Sequence, residues 1–399
     1  MNIPEQYCVC TAQFRKQKDK KRTVSGYKKT AVVATLRKSL LGGDVSRSIQ
    51  WAVELHMSGY EKTVWNTCFT IMSKHIHREN PLLPVYMERQ YTQHISQLAI
   101  REPMNNQQSR NRIAEVTAVI ALSHTCKIAV PKKKELVQFH SRQYAPSTAF
   151  LSGIWKDDDL PEIRVACNEI AYQLSKEDHT AETQGIALFW LHWLIQWDKR
   201  ETSLWRKAKK KGKNPTTCCS MRRNKYILKE YATDYIWILW NLVLQSCTRR
   251  KDKNLTVICS CLFRLFCHNY KTSTRSKHMM YLQHALLLVL DTIPRIRFTQ
   301  PVFQHYSVVI QSVLNINILY RDVHDSSKPH QRTPKVVHQP VDAQSPLQEL
   351  SRPEPHPYLD YFMDNELYND PRYNRIETVQ REDTGVLGHL DKFFSFYDI

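Results

Sequence analysis

The chain predicts an almost all-α fold, a multi-helix bundle of antiparallel and orthogonal pairs, and three observations support this. Its apolar residues recur at threes and fours rather than at twos. Glycine is scarce, with nine in 399 residues, which favours helix over sheet. The apolar fraction of 42% is ordinary for a globular protein and, at this length, allows a large core and two or three domains.

The elements follow in order. Residues 1–24 read as a basic arm. A first helix from about Tyr27 to Leu41 places Ala31, Val32, Leu36 and Leu40 on one face and stops at Gly42-Gly43, the residues best able to take the left-handed C-cap. Asp44 caps the next helix, where Ile49, Ala52, Val53 and the Trp51/Leu55 pair form an apolar stripe ending at Ser58-Gly59. Trp51 is expected to pack in the core against a third helix, which carries Val64, Cys68, Ile71, Met72, His75 and Ile76. Pro81 and Pro84 forbid its continuation.

Helices near 86–100 and 108–124 come next, the latter striped with Ile113, Val116, Val119, Ile120 and Leu122. A basic, proline-marked connector from Lys127 to Pro146 supplies a soft boundary. Six more helices are expected around 160–176, 181–199, 224–247, 255–270, 276–291 and 300–320. The stretch "RKAKKKGKNPTTCCSMRRNK" between two of them reads as a surface loop, too charged for the core. From Asp325 the prolines at 329, 334, 340, 346, 353, 355 and 357 break every helical period. The expected organisation is thus a basic arm (1–24), a helical domain (25–145), a second helical domain (146–324) and an extended acidic, aromatic tail (325–399).

Charge is unevenly spread. Residues 341–399 hold 12 Asp/Glu against 5 Lys/Arg, a net −7, so the first 340 residues carry +26 of the overall +19. The polar, basic start has no continuous apolar signal region, so an intracellular location, nuclear, cytoplasmic or within a virion, is expected. The apolar runs Gly185–Trp197 and Tyr235–Cys247 are about thirteen residues each and are interrupted by His192 or Asn241, short of the roughly 20 needed to span a bilayer. They read as core helices, and no membrane partner is expected. Eleven cysteines, an odd number, read as reduced thiols.

Motifs for nucleotide, zinc-protease and serine-hydrolase chemistry are missing: there is no GxxxxGK[ST], GxGxxG, HExxH or GxSxG. No catalytic residue and no cofactor is expected. The best metal candidates are Cys218 and Cys219 with Cys259, Cys261, Cys267 and His268. Their Cys-Cys and Cys-x-Cys spacings do not suit the paired ligands of a tetrahedral site, and Leu262, Leu265 and Phe266 place the second group on a buried helix, so core thiols are expected instead. His56, His75 and His77 read as packing or solvent residues rather than ligands. The Phe189, Trp190, Trp193, Trp197 cluster reads as core before base-stacking platform.

Basic segments form the stronger set. They supply the expected nucleic-acid contacts: Lys18, Lys20, Lys21 and Arg22; Lys132, Lys133 and Lys134; Lys209, Lys210, Lys211, Lys213, Arg222 and Arg223; Arg249 and Arg250. All fall in termini and inter-helix connections, where cations can face one polyanion and bind phosphates without reading sequence.

Between Lys28 and Pro84, the order Gly43-Asp44, Trp51 and Ala52, Leu55, Ser58-Gly59, Ile71 and Asn80-Pro81 resembles the C-terminal helical collar of clamp-loader-like AAA+ ATPases of the MgsA or replication-associated recombination protein A family. Two departures matter: "SKHIH" from Ser73 to His77 replaces the family's acidic "SEDIG", and the ATPase core is missing. The resemblance therefore implies a helical collar, self-association and a DNA-replication setting, but no ATPase activity. Helical modules with Cys-rich basic extensions also resemble proteins of large double-stranded DNA viruses. The expected function is a non-enzymatic, nucleic-acid-associated protein of replication, repair or genome packaging, with DNA or an acidic protein as partner. It would form homo-oligomers through the helical domain or the C-terminal arm. The alternative is a virion or capsid-associated structural protein whose arm links neighbours.

Overall fold

The structure, a computed structural model, describes residues 3, 5–9, 21–96, 103–127, 143–177, 179–210, 231–268, 270–291, 302 and 305–326. Among these are twelve α-helices and no strand: α1 (Lys29–Leu41), α2 (Val45–Met57), α3 (Glu61–Ile71), α4 (Leu83–Ser96), α5 (Gln107–Leu122), α6 (Arg164–Ser175), α7 (Ala181–Lys210), α8 (Ile236–Arg249), α9 (Lys253–Cys267), α10 (Arg275–Val289), α11 (Tyr306–Leu314) and α12 (Ile316–Ser326). The all-α fold class is as the sequence predicts. The acidic tail from 327 onward lies outside the described residues, as do most of the basic arm and the 128–142 connector.

Two compact units emerge. The first gathers the described residues among 1–68, 93–122 and 305–326; the second gathers those among 69–92 and 123–302. Helices α11 and α12, expected with the second domain, therefore belong to the first unit.

In the first unit the local signals act as written in the sequence. Gly42 closes α1, and Gly43 follows at φ +73, a left-handed conformation that side-chain-bearing residues rarely adopt. The Asp44 side chain then accepts the Arg47 N–H at 3.0 Å and starts α2. Gly59, at φ +74, turns the chain into α3. In the second unit, Pro84 sits in the first turn of α4, where a missing N–H costs nothing.

Helix α5 is the centre of this unit. Helices α1, α2, α11 and α12 all pack on it, and every residue from 107 to 121 except Gln108 is buried. A stripe was expected; a helix enclosed nearly all round is found. Leu36, Leu40, Val53, Leu55 and Ile113 fill the surrounding core. Trp51, expected there, is only half-buried and meets the Tyr27 ring edge-on at 5.7 Å; the fully buried tryptophan is Trp65, 1% exposed.

The second unit packs α9 against α10 and α8, α6 against α7 and α8, and α10 against α7. Phe189 and Trp190 are buried and Trp193 and Trp197 half-buried, so this cluster is core, as expected. Trp237, Trp240, Phe263, Phe266 and Tyr270 interlock through edge-to-face and stacked contacts 5.0–6.4 Å apart. Such pairs add roughly 0.5–1.5 kcal/mol each beyond area burial. No described helix is long and apolar enough to cross a membrane.

Candidate functional site

Three arrangements of polar side chains are built into the described residues, and each is tied to particular helices.

In the first unit a continuous network runs through the buried face of α5. The Arg110 guanidinium, 0% exposed, donates to Met104 O at 2.6 Å, Asn317 Oδ1 at 2.9 Å, Tyr7 O at 3.1 Å and Asn105 Oδ1 at 3.2 Å. It lies 4.2 Å over the Tyr320 ring. Asn317 in turn donates to Gln107, and Gln107 to Asn111. The Tyr320 hydroxyl meets His56 Nδ1 at 2.5 Å, and His56 Nε2 meets Glu61 Oε1 at 3.0 Å; His94 Nε2 approaches the same oxygen at 3.3 Å. Each ring nitrogen of His56 thus has a partner, the Tyr320 hydroxyl at Nδ1 and the Glu61 carboxylate at Nε2. Burial alone would raise the Glu61 carboxyl, but the His56 bond and the nearby charges of His56, His94 and Arg112 hold it below its ordinary value. Burial pushes His94 down to about 4. A carboxylate, an imidazole and a phenol in series are the parts of a proton relay. Here the imidazole is 1% exposed and the phenol 0%, and both are engaged with each other, so the arrangement ties α2, α3 and α12 together.

In the second unit Arg275 forms a buried ionic centre with Asp234, Nη2 to Oδ2 at 2.8 Å, and with Asp198. The Tyr270 hydroxyl also donates to Asp234. Burial alone would lower the Arg275 pKa; Asp234 and its neighbours outweigh that and hold it above the usual value. This centre fixes α7 at Asp198 to the start of α10.

The third arrangement joins His77, Cys126 and His284. A π-helical turn at Met72–Ile76 leads into His77, whose φ of +28 is unusual for any residue with a side chain. Cys126 Sγ lies 3.1 Å from His77 Nδ1, and the His284 ring is edge-on to His77 at 6.3 Å. Burial, with Glu79 adding to it, raises the Cys126 thiol, and burial lowers His77 to about 4. Both shifts favour the neutral pair over the thiolate–imidazolium pair that nucleophilic catalysis requires.

Among the expected phosphate contacts, Lys21 and Arg22 are exposed, and Arg22 Nη1 donates to Gly26 O at 2.7 Å. Arg249 is exposed at the end of α8. Arg250 turns inward, to Val289 O at 2.6 Å and to His179 at 2.5–2.7 Å, so its guanidinium is committed inside the second unit. Lys209 and Lys210 lie in the last turn of α7. Lys18, Lys20, Lys132, Lys133, Lys134, Lys211, Lys213, Arg222 and Arg223 lie outside the described residues, as do Cys218 and Cys219. Cys259, Cys261 and Cys267 are buried in α9, and burial lifts the thiols of Cys261 and Cys267 above their ordinary range. Among the described residues no group of three His, Cys, Asp or Glu is placed to hold a metal.

One reading is corrected. The sequence "RKAKK" at 206–210, expected in a loop, is helix: α7 runs unbroken for 30 residues, about 45 Å, to Lys210. The signal was present, because no glycine or proline occurs between Gly185 and Gly212, and Lys, Arg and Ala are good helix formers. Beyond Asp198, residues Lys199, Arg200, Ser203, Leu204 and Lys207 are exposed. The last twelve residues of α7 are thus a cationic helical arm that sequence reasoning missed.

Fold and site together define an all-α protein with two enclosed polar centres and a solvated basic helix end. No family profile, curated protein or solved structure matches the chain.

Proposed function

We propose that this is a non-enzymatic, nucleic-acid-associated protein that binds phosphate backbones without reading sequence, in replication, repair or genome packaging. The observation that carries the reading is the net +26 on residues 1–340, with exposed cations at Lys21, Arg22, Lys199, Arg200, Lys207 and Arg249. Phosphate neutralisation by such cations releases counterions, so affinity falls steeply with salt. The likeness to a clamp-loader collar between Lys28 and Pro84 supports the replication setting and self-association through the helical unit. The test is fluorescence anisotropy of the full chain on labelled DNA of arbitrary sequence. A steep, sequence-independent salt dependence is expected; no binding at about 50 mM salt, where phosphate binding is far stronger than at 200 mM, would sink the reading.

The opposite charge of residues 341–399, net −7 with aromatics at intervals, favours a second reading. In this, the protein is a virion or capsid-associated component whose tail links neighbouring copies. Removing residues 327–399 would then dissolve oligomers and leave DNA affinity unchanged.

A further inference from the structure

The inference here rests on the nucleic-acid reading and names the element that makes the contact. Helix α7 has two parts. From Ile186 to Leu194 it is core, with Ile186–Leu191 and Leu194 at most 3% exposed. At Asp198 it is tied to Arg275. From Lys199 it continues for twelve residues, about 18 Å of helix, with Lys199, Arg200, Ser203, Leu204 and Lys207 all exposed.

The exposed cations of this arm, Lys199, Arg200 and Lys207, lie on one side. At about 100° per residue, these three fall within roughly a 100° arc, with Ser203 between them. Glu201 faces away and pairs with Arg200 across the surface at 3.4 Å, both side chains being well exposed, so it offsets little of the charge. Lys199 and Lys207 are separated by eight residues, about 12 Å along the axis. A helix with its side chains is about 10–12 Å across, which fits the B-form major groove, about 12 Å wide. A-form duplexes have a deep, narrow major groove closed to such an element.

We infer that the Lys199–Lys210 arm of α7 docks into the major groove of B-form duplex DNA, with the one face that carries Lys199, Arg200 and Lys207 turned to the phosphates of one wall. Rigidity is part of this inference: a flexible loop of the same charge would not distinguish duplex forms.

The experiment uses the full chain, labelled duplex DNA and duplex RNA of matched sequence, single-stranded DNA, and anionic vesicles as a control. Two variants are compared with wild type. Lys199→Ser/Arg200→Ser/Lys207→Ser removes three exposed cations. Leu204→Pro keeps every charge but breaks the arm at an exposed position. For the triple variant, the salt slope on duplex DNA should fall by about 2.7, which is about 40-fold in affinity between 50 and 200 mM salt. For both variants, preference for DNA over RNA duplex should vanish. Wild type binding DNA with neither variant altered overturns this inference and leaves the broader reading standing. Wild type failing to bind DNA at all overturns both. Equal wild-type affinity for the DNA and RNA duplexes, or a variant effect confined to vesicles or single strands, also overturns the groove assignment.

Discussion

Replacing Arg110 by Met keeps the length of the side chain and removes its fork of donors. Four acceptors lose a partner: Met104 O, Tyr7 O, Asn317 Oδ1 and Asn105 Oδ1. Asn105 Oδ1 still receives the Val9 N–H at 2.9 Å, which leaves three. An orphaned buried acceptor costs about 1–3 kcal/mol, and less where water reaches it, as at the part-buried Met104 and Tyr7 carbonyls. Relaxation and water entry act against simple addition, so a loss of about 4 kcal/mol is expected. Arg110→Lys should lose most of the same amount, since one ammonium cannot serve oxygens arrayed around a planar fork. Urea unfolding followed by circular dichroism measures the loss, and amide exchange on α5 localises it to the first unit. Combined with Asn317→Ala, the double-mutant cycle should return a coupling of about 1–2 kcal/mol. A loss under about 1 kcal/mol, or additive single effects, would refute the claim that this network holds the unit together.

Other expectations follow from the same geometry. His77 and His94 protonate near 4 and His284 near 3, all depressed chiefly by burial, whereas the unfolded chain takes up these protons near 6.5. The native state is therefore favoured in full above pH 6.5 and weakens as pH falls from 6.5 toward 3; Glu61, held below 4.5, adds a further loss under that value. Urea midpoints measured from pH 7 to 4 should decline, and His284→Leu should flatten the decline; a level profile would contradict the burial argument. Trp65→Ala should cost about 3–5 kcal/mol, but half-buried Trp51→Ala only about 1–2 kcal/mol, and thermal melts that reverse the order would misplace the core. Lys251 sits at φ +54 just after α8 and is exposed. Lys251→Gly should stabilise by about 1 kcal/mol, and a lower melting temperature would count against that.

Local rules made the start of the chain legible. Gly42-Gly43, Asp44 and Gly59 each act through their own backbone or the next turn, so sequence spacing alone finds them. The α7 arm was hidden by a habit of reading dense charge as loop, although its residues favour helix and no breaker precedes Gly212. Arg110 was illegible for a different reason. On a sequence it is one more cation in a polar stretch, and its burial depends on Tyr7, Met104 and Asn317, brought together from positions 103 residues before and 207 after it. His77 and Cys126 meet in the same way, 49 residues apart. Trp51 carried a correct helix but the wrong depth, because periodicity fixes a face and not how far its neighbours cover it.

The first unit's division into three stretches of chain has a consequence for its synthesis. Arg110 lacks Asn317, and His56 lacks Tyr320, until the ribosome has made everything up to α12. Between Leu122 and Tyr306 lie more than 180 residues belonging largely to the other unit. At bacterial or eukaryotic elongation rates, on the order of 5–20 residues per second, that interval lasts roughly ten to forty seconds. Throughout it, a guanidinium destined for full burial and the apolar faces of α1, α2 and α5 wait without their last two helices. The first unit's core thus closes only after every described residue of the second unit has been made.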